Sequence, residues 1–112
     1  MKRIEAIIRP EKVSEVCAAL DSVGHPGVTV SQVGEHGDQK GWVNHLRGRS
    51  YTVNLLSKTK VEVVVKDGDA DKIIKTIINA AITGEAGDGT IFVHDIADAI
   101  QIAANESVMA AM

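Results

Sequence analysis

The chain has few of several residue types, and each shortage excludes a class of protein. Its single cysteine, Cys17, excludes an intramolecular disulfide and is typical of a protein from the reducing cytoplasm. With 3% aromatic residues and a net charge of −3, it lacks the basic surface and the stacking side chains of nucleic-acid binders. It shows neither a secretory signal nor an apolar run near the ~20 residues that span a bilayer. We therefore expect a cytoplasmic protein that neither binds nucleic acid nor inserts into a membrane.

What the chain does contain is one structural pattern that occurs twice. Its 112 residues, 45% of them hydrophobic, suit a single globular domain. The β-branched run at residues 4–9 resembles residues 61–66, and each run is followed by an amphipathic helical pattern. A further strand follows each helix, at residues 28–33 and 90–93. Strand, helix and strand in two copies predict an α+β fold, the ferredoxin-like βαββαβ sandwich, with two helices on one face of a four-stranded antiparallel sheet.

The ends of the two helices also carry sequence signals. The first helix is expected to begin at Pro10, and the second after Asp69 or Asp71 as N-cap. Each is expected to end at a glycine in the C′ position, Gly24 or Gly84.

A long connection separates the second and third expected strands, from residue 34 to about residue 57. A hairpin needs only about two to five residues there, and longer loops in compact domains are usually functional. We therefore interpret residues 36–55 as a mobile, functional loop. The alternative is an extended hairpin arm whose strands alternate Tyr51, Val53 and Leu55, and both interpretations can hold together.

A second loop is rich in glycine. Gly84, Gly87 and Gly89 lie within six residues and precede an apolar run that starts at Thr90. Such glycines let backbone N–H groups approach a ligand with no side chain in the way. On its own a short Gly-rich loop is weak support for a binding site, because many helix–strand connections look the same.

Taken with other segments, this loop supports a family resemblance. Residues 83–93, Thr-Gly-Glu-Ala-Gly-Asp-Gly-Thr-Ile-Phe-Val, resemble a signature of the PII signal-transduction proteins. Residues 37–41, Gly-Asp-Gln-Lys-Gly, resemble their Gly-Arg-Gln-Lys-Gly, and residues 47–51, Arg-Gly-Arg-Ser-Tyr, stand where they have a motif close to Arg-Gly-Ala-Glu-Tyr. Residues 4–12 and 58–65 are similar as well. Because these motifs coincide in order and spacing, the chain is identified as a member of the PII superfamily.

The resemblance implies a function and a set of site residues. It implies a homotrimeric regulator of nitrogen utilization, not an enzyme, which binds ATP, ADP or AMP, with Mg²⁺ possible, in clefts between subunits. The loop at residues 36–55 would be the T-loop that docks on a membrane transporter or a metabolic enzyme. The implied nucleotide-binding residues are Gly37, Gln39, Val64, Gly87, Asp88 and Gly89. The residues implied for 2-oxoglutarate or another small anion are Gln39 and Lys58.

Four positions depart from the family pattern, and all four lose a cation. Asp38 and Thr90 stand where the family has Arg and Lys or Arg, and Gln101 and Ala103 replace arginines on the phosphates. A charge-assisted hydrogen bond contributes about 1.5–3 kcal/mol, so losing two weakens ATP binding by roughly a hundredfold. We therefore expect weak nucleotide binding, with ADP or AMP no worse than ATP. The tail, about residues 103–112, lacks the family's Arg-Thr-Gly-Glu segment and is expected to form a short helix or a frayed end.

Other loop residues have both a functional and a plain structural interpretation. Tyr51 stands at the position of the family's modified tyrosine, but such a residue is more often a loop or strand contact. Trp42 in a polar loop is a candidate interface anchor. Arg47 and Arg49 are candidates to meet an acidic partner, although solvated loop charges are the commoner case.

Two other functions remain open from the sequence. The first is a metal-responsive or metal-binding trimer that uses loop histidines. The spacing of the candidate ligands fits no strong metal motif, so no metal site is expected. The candidates are His25, His36, His45, His94 and Cys17.

The second is a small acyl-phosphate hydrolase with Arg9 on the phosphate. Arg9 is followed by Pro10 and not by a Gly-rich cradle, and no nucleophile–base pair stands out, so this interpretation is the weaker one.

Overall fold

A computed structural model describes residues 1–25, 27–36, 42–46, 49–53, 55–104 and 106–107, with the backbone alone in 42–46, 49–53 and 106–107. Short 3₁₀ turns, Pro10–Lys12 and Asp67–Asp69, lead into the two helices. The helices and strands, in chain order, are β1 (Lys2–Ile8), α1 (Val13–Ser22), β2 (Thr29–His36), β3 (Trp42–Leu46), β4 (Arg49–Val53), β5 (Leu55–Val65), α2 (Ala70–Ala81), β6 (Gly89–Asp95), β7 (Ile100–Gln101) and β8 (Glu106–Ser107).

The main sheet has the predicted ferredoxin-like topology. Its four strands lie in the order β2–β5–β1–β6, and each of the three pairings is antiparallel. The four predicted strands and two predicted helices are therefore confirmed, although β5 begins at Leu55, six residues before the predicted start. Across the described residues, no helix has the length and apolar character needed to traverse a bilayer.

The core lies between one face of this sheet and the two helices. Residues at opposed register positions share a face, and β1 pairs Ile4 with Val63 and Ala6 with Val61. These strand residues pack against α1 and α2, where Leu20 is fully buried. The sequence pattern suggests apolar area on both faces of the sheet from Ile4, Ala6 and Ile8 and from Val61, Val63 and Val65, and this interpretation is wrong. All six residues are buried under the helices. The opposite face mixes charged residues with Ile7, Val64 and Phe92.

The first helix begins later than predicted. Pro10 starts the 3₁₀ turn, and α1 itself starts at Val13. It ends as predicted, because Gly24 follows the C-cap residue Val23 and has a φ of +86°.

The second helix begins at one of the two predicted N-caps and ends before its predicted glycine. Asp69 is the N-cap residue, although its side chain makes no capping hydrogen bond. The C-cap residue Ile82 is already extended, with φ −70° and ψ 134°, so Gly84 lies two residues beyond the cap. The positive φ of Gly84, +86°, therefore belongs to the Gly-rich loop and not to a C′ position.

The long connection contains an antiparallel pair of strands. β3 pairs with β4, so that Trp42 lies opposite Val53 and Asn44 opposite Tyr51. β2 and β5 also extend towards this connection, with His36 opposite Leu55. The pairing of β3 with β4 agrees with the hairpin-arm interpretation, whereas the mobility of residues 36–55 stays a prediction.

The end of the chain forms a second small strand pair. β7 and β8 are antiparallel, with Ile100 opposite Ser107. The expected short helix is therefore wrong over residues 106–107. Pairing with β7 satisfies backbone groups that a short, isolated helix would leave exposed at both ends.

Candidate functional site

The Gly-rich loop between α2 and β6 is organised by one carboxylate. Asp88 accepts hydrogen bonds from the backbone N–H groups of Thr83 at 2.8 Å and Gly84 at 3.0 Å, and from the Thr83 hydroxyl. Arg9 Nε donates a fourth hydrogen bond at 3.1 Å. The Thr83 hydroxyl and amide, with Arg9 and Gly84, hold the pKa of Asp88 well below its usual range. The carboxylate is therefore ionised at neutral pH and closes the loop on itself.

Two cations hold the carbonyl groups of the same loop. Arg9 Nη2 donates to the Ala86 carbonyl oxygen at 2.7 Å, and Lys58 Nζ donates to the Gly87 carbonyl oxygen at 2.6 Å. The C=O and N–H of one planar trans peptide point in opposite directions. The amides of Gly87 and Asp88 therefore point away from Arg9 and Lys58, respectively. Among the hydrogen bonds of the described residues, none uses these two amides.

Three glycines of this loop adopt a backbone conformation in which side chains are strained. The φ is +86° at Gly84, +94° at Gly87 and +119° at Gly89. A Cβ added to Gly89 would lie 1.9 Å from the carbonyl oxygen of Ile7 in β1. Glycine at residue 89 thus lets the loop enter β6 directly against β1.

A pocket of about 310 Å³ lies beside Lys58. It is lined by residues 32–34 of β2, residues 57–59 of β5 and Pro10. Lys58 is only 4% exposed, and its one hydrogen-bond partner among the described residues is the neutral carbonyl of Gly87. A buried ammonium group is stabilised by an anionic partner. The pocket therefore suits a small anion.

The structure brings together some of the predicted site residues and separates others. Lys58 of β5 contacts the Gly-rich loop through Gly87, so that Lys58 and the loop residues Gly87, Asp88 and Gly89 form one cluster. Val64 lies six residues farther along β5, about 20 Å from Lys58 at the rise of a strand. Val64 of the same chain is thus remote from the Gly-rich loop.

The predicted T-loop residues are described only in part. Trp42 begins β3, and Arg49 and Tyr51 belong to β4. Three predicted site residues lie outside the described part of the chain: Gly37, Gln39 and Arg47.

Three of the four positions that lack a family cation have exposed side chains. Thr90 is in β6, Gln101 is in β7, and Ala103 lies in the turn after it. Asp38 lies outside the described residues.

Sequence reasoning missed the residues that organise the loop. The sequence indicates Arg9 only as a phosphate ligand of a hydrolase, and it gives Thr83 no separate role. Thr83 and Asp88 are five residues apart, and Thr and Asp side chains commonly form hydrogen bonds with nearby backbone groups. This spacing is therefore a local signal that the two residues could close the loop by a hydrogen bond. Nothing local to Arg9 indicates a partner 79 residues away.

The metal interpretation finds no support in the described residues, where no three or more His, Cys, Asp and Glu side chains are grouped to hold a metal ion. His94 Nε2 lies 3.2 Å from a carboxylate oxygen of Glu5. Cys17 is half-buried on α1.

Comparison with known proteins agrees with this arrangement. The family model described as Nitrogen regulatory protein P-II matches residues 1–106. The Nitrogen regulatory protein P-II 2 of Methanothermobacter thermautotrophicus is 47% identical over 107 residues, which are 96% of this chain and 93% of that protein. The Nitrogen regulatory protein P-II of Nostoc punctiforme is 49% identical over 106 residues, 95% of either chain. That of Rhizobium meliloti is 48% identical over 107 residues, 96% of either chain.

These relatives are named as regulators, and the similarity covers the T-loop segment, the Gly-rich loop and the whole ferredoxin-like core. They do not support the metal-binding or hydrolase alternatives. The chain therefore belongs to the nitrogen regulatory P-II family and is a PII-like regulatory signalling protein.

Proposed function

We propose that this protein is a cytoplasmic, non-enzymatic homotrimer that senses an adenine nucleotide and controls a membrane transporter or a metabolic enzyme through its T-loop, residues 36–55. The observation that carries the proposal is the Gly-rich loop beside Lys58. It offers two unused amides, at Gly87 and Asp88, and the buried ammonium group of Lys58 holds the Gly87 carbonyl, which orients the Asp88 amide to the other side of the loop.

The phosphate groups would be bound mainly by this loop. Backbone amides at positions with positive φ form concave anion sites. The Lys58 ammonium group has three N–H donors, and one of them bonds to the Gly87 carbonyl. The other two are available to an anion in the adjoining pocket. Gly37 and Gln39 would face the phosphates from the base of the T-loop, and Gln39 would also help to hold Mg²⁺ or 2-oxoglutarate.

The adenine would be bound by a neighbouring subunit. Val64 lies too far from the Gly-rich loop of its own chain to share one nucleotide with it, so the two would meet only between copies. The sheet face that carries Val64 supports an assembly, because the buried Arg3 Nε next to it finds no hydrogen-bond partner among the described residues. Phe92 on the same face is 48% exposed. Subunits packed through these sheet faces would cover both.

The trimer is tested directly by sedimentation or light scattering. We expect a mass three times that of the 11.9 kDa chain at micromolar concentration. A monomer would remove both the trimer and its intersubunit clefts.

The nucleotide preference follows from the cations that this chain lacks. Thr90, Gln101 and Ala103 leave the outer phosphates with few partners, and Asp38 would repel a γ-phosphate unless Mg²⁺ intervened. ADP and AMP would therefore bind no more weakly than ATP, and 2-oxoglutarate would add little.

Calorimetry with ATP, ADP and AMP, with and without Mg²⁺ and 2-oxoglutarate, tests the proposed site. Lys58→Met should weaken ADP binding by about tenfold, because it removes the charge-assisted hydrogen bond to the Gly87 carbonyl that orients the Asp88 amide. Lys75→Met, on the exposed side of α2, is the matched control and should leave binding unchanged. Submicromolar MgATP binding that 2-oxoglutarate strengthens would show that other residues replace the missing cations. No binding of any of these nucleotides would refute the site.

A further inference from the structure

The carboxylate of Asp88 has no hydrogen-bonding capacity left for a ligand. An ionised carboxylate offers about four acceptor sites on its two oxygens. Oδ1 accepts from the Thr83 hydroxyl and from Arg9 Nε, and Oδ2 accepts from the amides of Thr83 and Gly84. All four sites are occupied within the chain. Although Asp88 lies in the candidate nucleotide site, its side chain therefore forms hydrogen bonds only with other residues of the chain.

Arg9 connects this carboxylate to the sheet. It follows the last residue of β1, and it donates both to Asp88 and to the Ala86 carbonyl. Lys58 of β5 holds the next carbonyl, that of Gly87. The loop is therefore attached to the two central strands of the sheet at consecutive peptide groups, which fixes the directions of the amides that follow them.

The charge balance also favours a phosphate. An isolated carboxylate beside a phosphate site would repel the ligand. Here the Arg9 guanidinium lies against Asp88, with side-chain exposures of 22% and 24%, so the pair is partly shielded from water and carries no net charge. The Asp88 carboxylate can therefore orient the loop through its hydrogen bonds, while the paired Arg9 charge offsets its repulsion of a bound phosphate.

We propose that the side chains of Thr83, Asp88 and Arg9, here called the Asp88 network, act as positioning groups: they hold the backbone amides of Gly87 and Asp88 in a phosphate-binding arrangement and do not themselves touch the nucleotide. This rests on the proposed function, because it assigns a role within the proposed phosphate site. Thr83 is the member whose hydroxyl can be removed with the least change in size and charge.

The test compares ligands with and without phosphate. Thr83→Val removes the hydroxyl that donates to Asp88, and it should weaken ADP binding by about tenfold while adenosine binding stays within about twofold. Thr83→Ser should restore ADP affinity. Thr76→Val is the matched control, because the Thr76 hydroxyl donates to the Lys72 carbonyl within α2, away from the loop. Isothermal titration calorimetry, with displacement for the weaker ligand, measures all of these affinities.

A second measurement needs no ligand. The amides of Thr83 and Gly84, which donate to Asp88, should exchange with solvent slowly in the free wild-type protein and at least tenfold faster in Asp88→Asn, as read by NMR. Equal losses of ADP and adenosine affinity in Thr83→Val, or unprotected amides in the wild type, would overturn the positioning role. A wild-type protein that binds no ADP would refute the proposed function, while the exchange rates would still decide whether the network holds the loop.

Discussion

Replacing Gly89 with alanine tests how the Gly-rich loop joins the sheet. The φ of Gly89 is +119°, a conformation that costs a residue with a side chain about 1–3 kcal/mol. The new Cβ would lie 1.9 Å from the Ile7 carbonyl oxygen, a backbone atom of the central strand β1. This contact is relieved only if the start of β6 moves away from β1.

The expected cost combines strain with lost strand pairing. Separating the Gly89 end of β6 from Ile8 would break one or two ladder hydrogen bonds, each contributing about 0.5–1.5 kcal/mol. With the backbone strain, Gly89→Ala should lower the free energy of unfolding by about 4 kcal/mol. That is a large part of the roughly 5–15 kcal/mol that stabilises a typical domain.

Two other glycines separate the components of this estimate. Gly84 also has a positive φ, +86°, but a Cβ there would meet nothing within 4 Å, so Gly84→Ala should cost only about 1–2 kcal/mol. Gly68 has neither a positive φ nor a close neighbour. Gly68→Ala should be neutral or stabilising by up to about 1 kcal/mol, because alanine lowers the entropy of the unfolded chain.

Urea denaturation of the three variants, at one protein concentration because assembly affects apparent stability, measures these differences. The expected order of unfolding midpoints places Gly89→Ala lowest and Gly68→Ala highest. If Gly89→Ala were destabilised no more than Gly84→Ala, the close approach of residue 89 to β1 would not limit the choice of residue, and the reasoning would be refuted.

Three further predictions concern the core, acid stability and the T-loop. Ile73 of α2 is fully buried, and Ile73→Ala should lower the free energy of unfolding in urea by about 2–5 kcal/mol. Ile78, on the same helix, is 44% exposed, so Ile78→Ala should lower it much less. Equal losses would contradict the core assignment. The pKa of Asp88 is lower in the folded than in the unfolded state, so its contribution to the free energy of unfolding is present above the unfolded pKa of about 3.9 and is lost as pH falls below that value. Asp88→Asn should therefore lose less stability than the wild type on acidification, as measured by urea denaturation at a series of pH values. Identical stability–pH curves for the two proteins would contradict this. Limited trypsin digestion of the ligand-free protein should cut first within residues 37–54, whereas full protection would favour a rigid hairpin over a switch.

The local pattern of the sequence determined the main elements. Alternating apolar residues in β1 and a helical apolar period in α2 are properties of adjacent residues, so they predict a strand and a helix without knowledge of the rest of the chain. The Gly-rich loop was recognisable in the same way, because glycines at Gly87 and Gly89 reflect backbone conformations that other residues adopt only with strain.

Only the tertiary structure decided how these elements meet. Since a strand presents alternate residues to opposite faces, the register of β1 with β5 determined that Ile4, Ala6 and Ile8 lie under the helices beside Val61, Val63 and Val65. The contacts that organise the candidate site join residues far apart in the chain: Arg9 and Asp88 are separated by 79 positions, and Lys58 and Gly87 by 29. No local pattern specifies such partners, because they are brought together by the order of strands in the sheet.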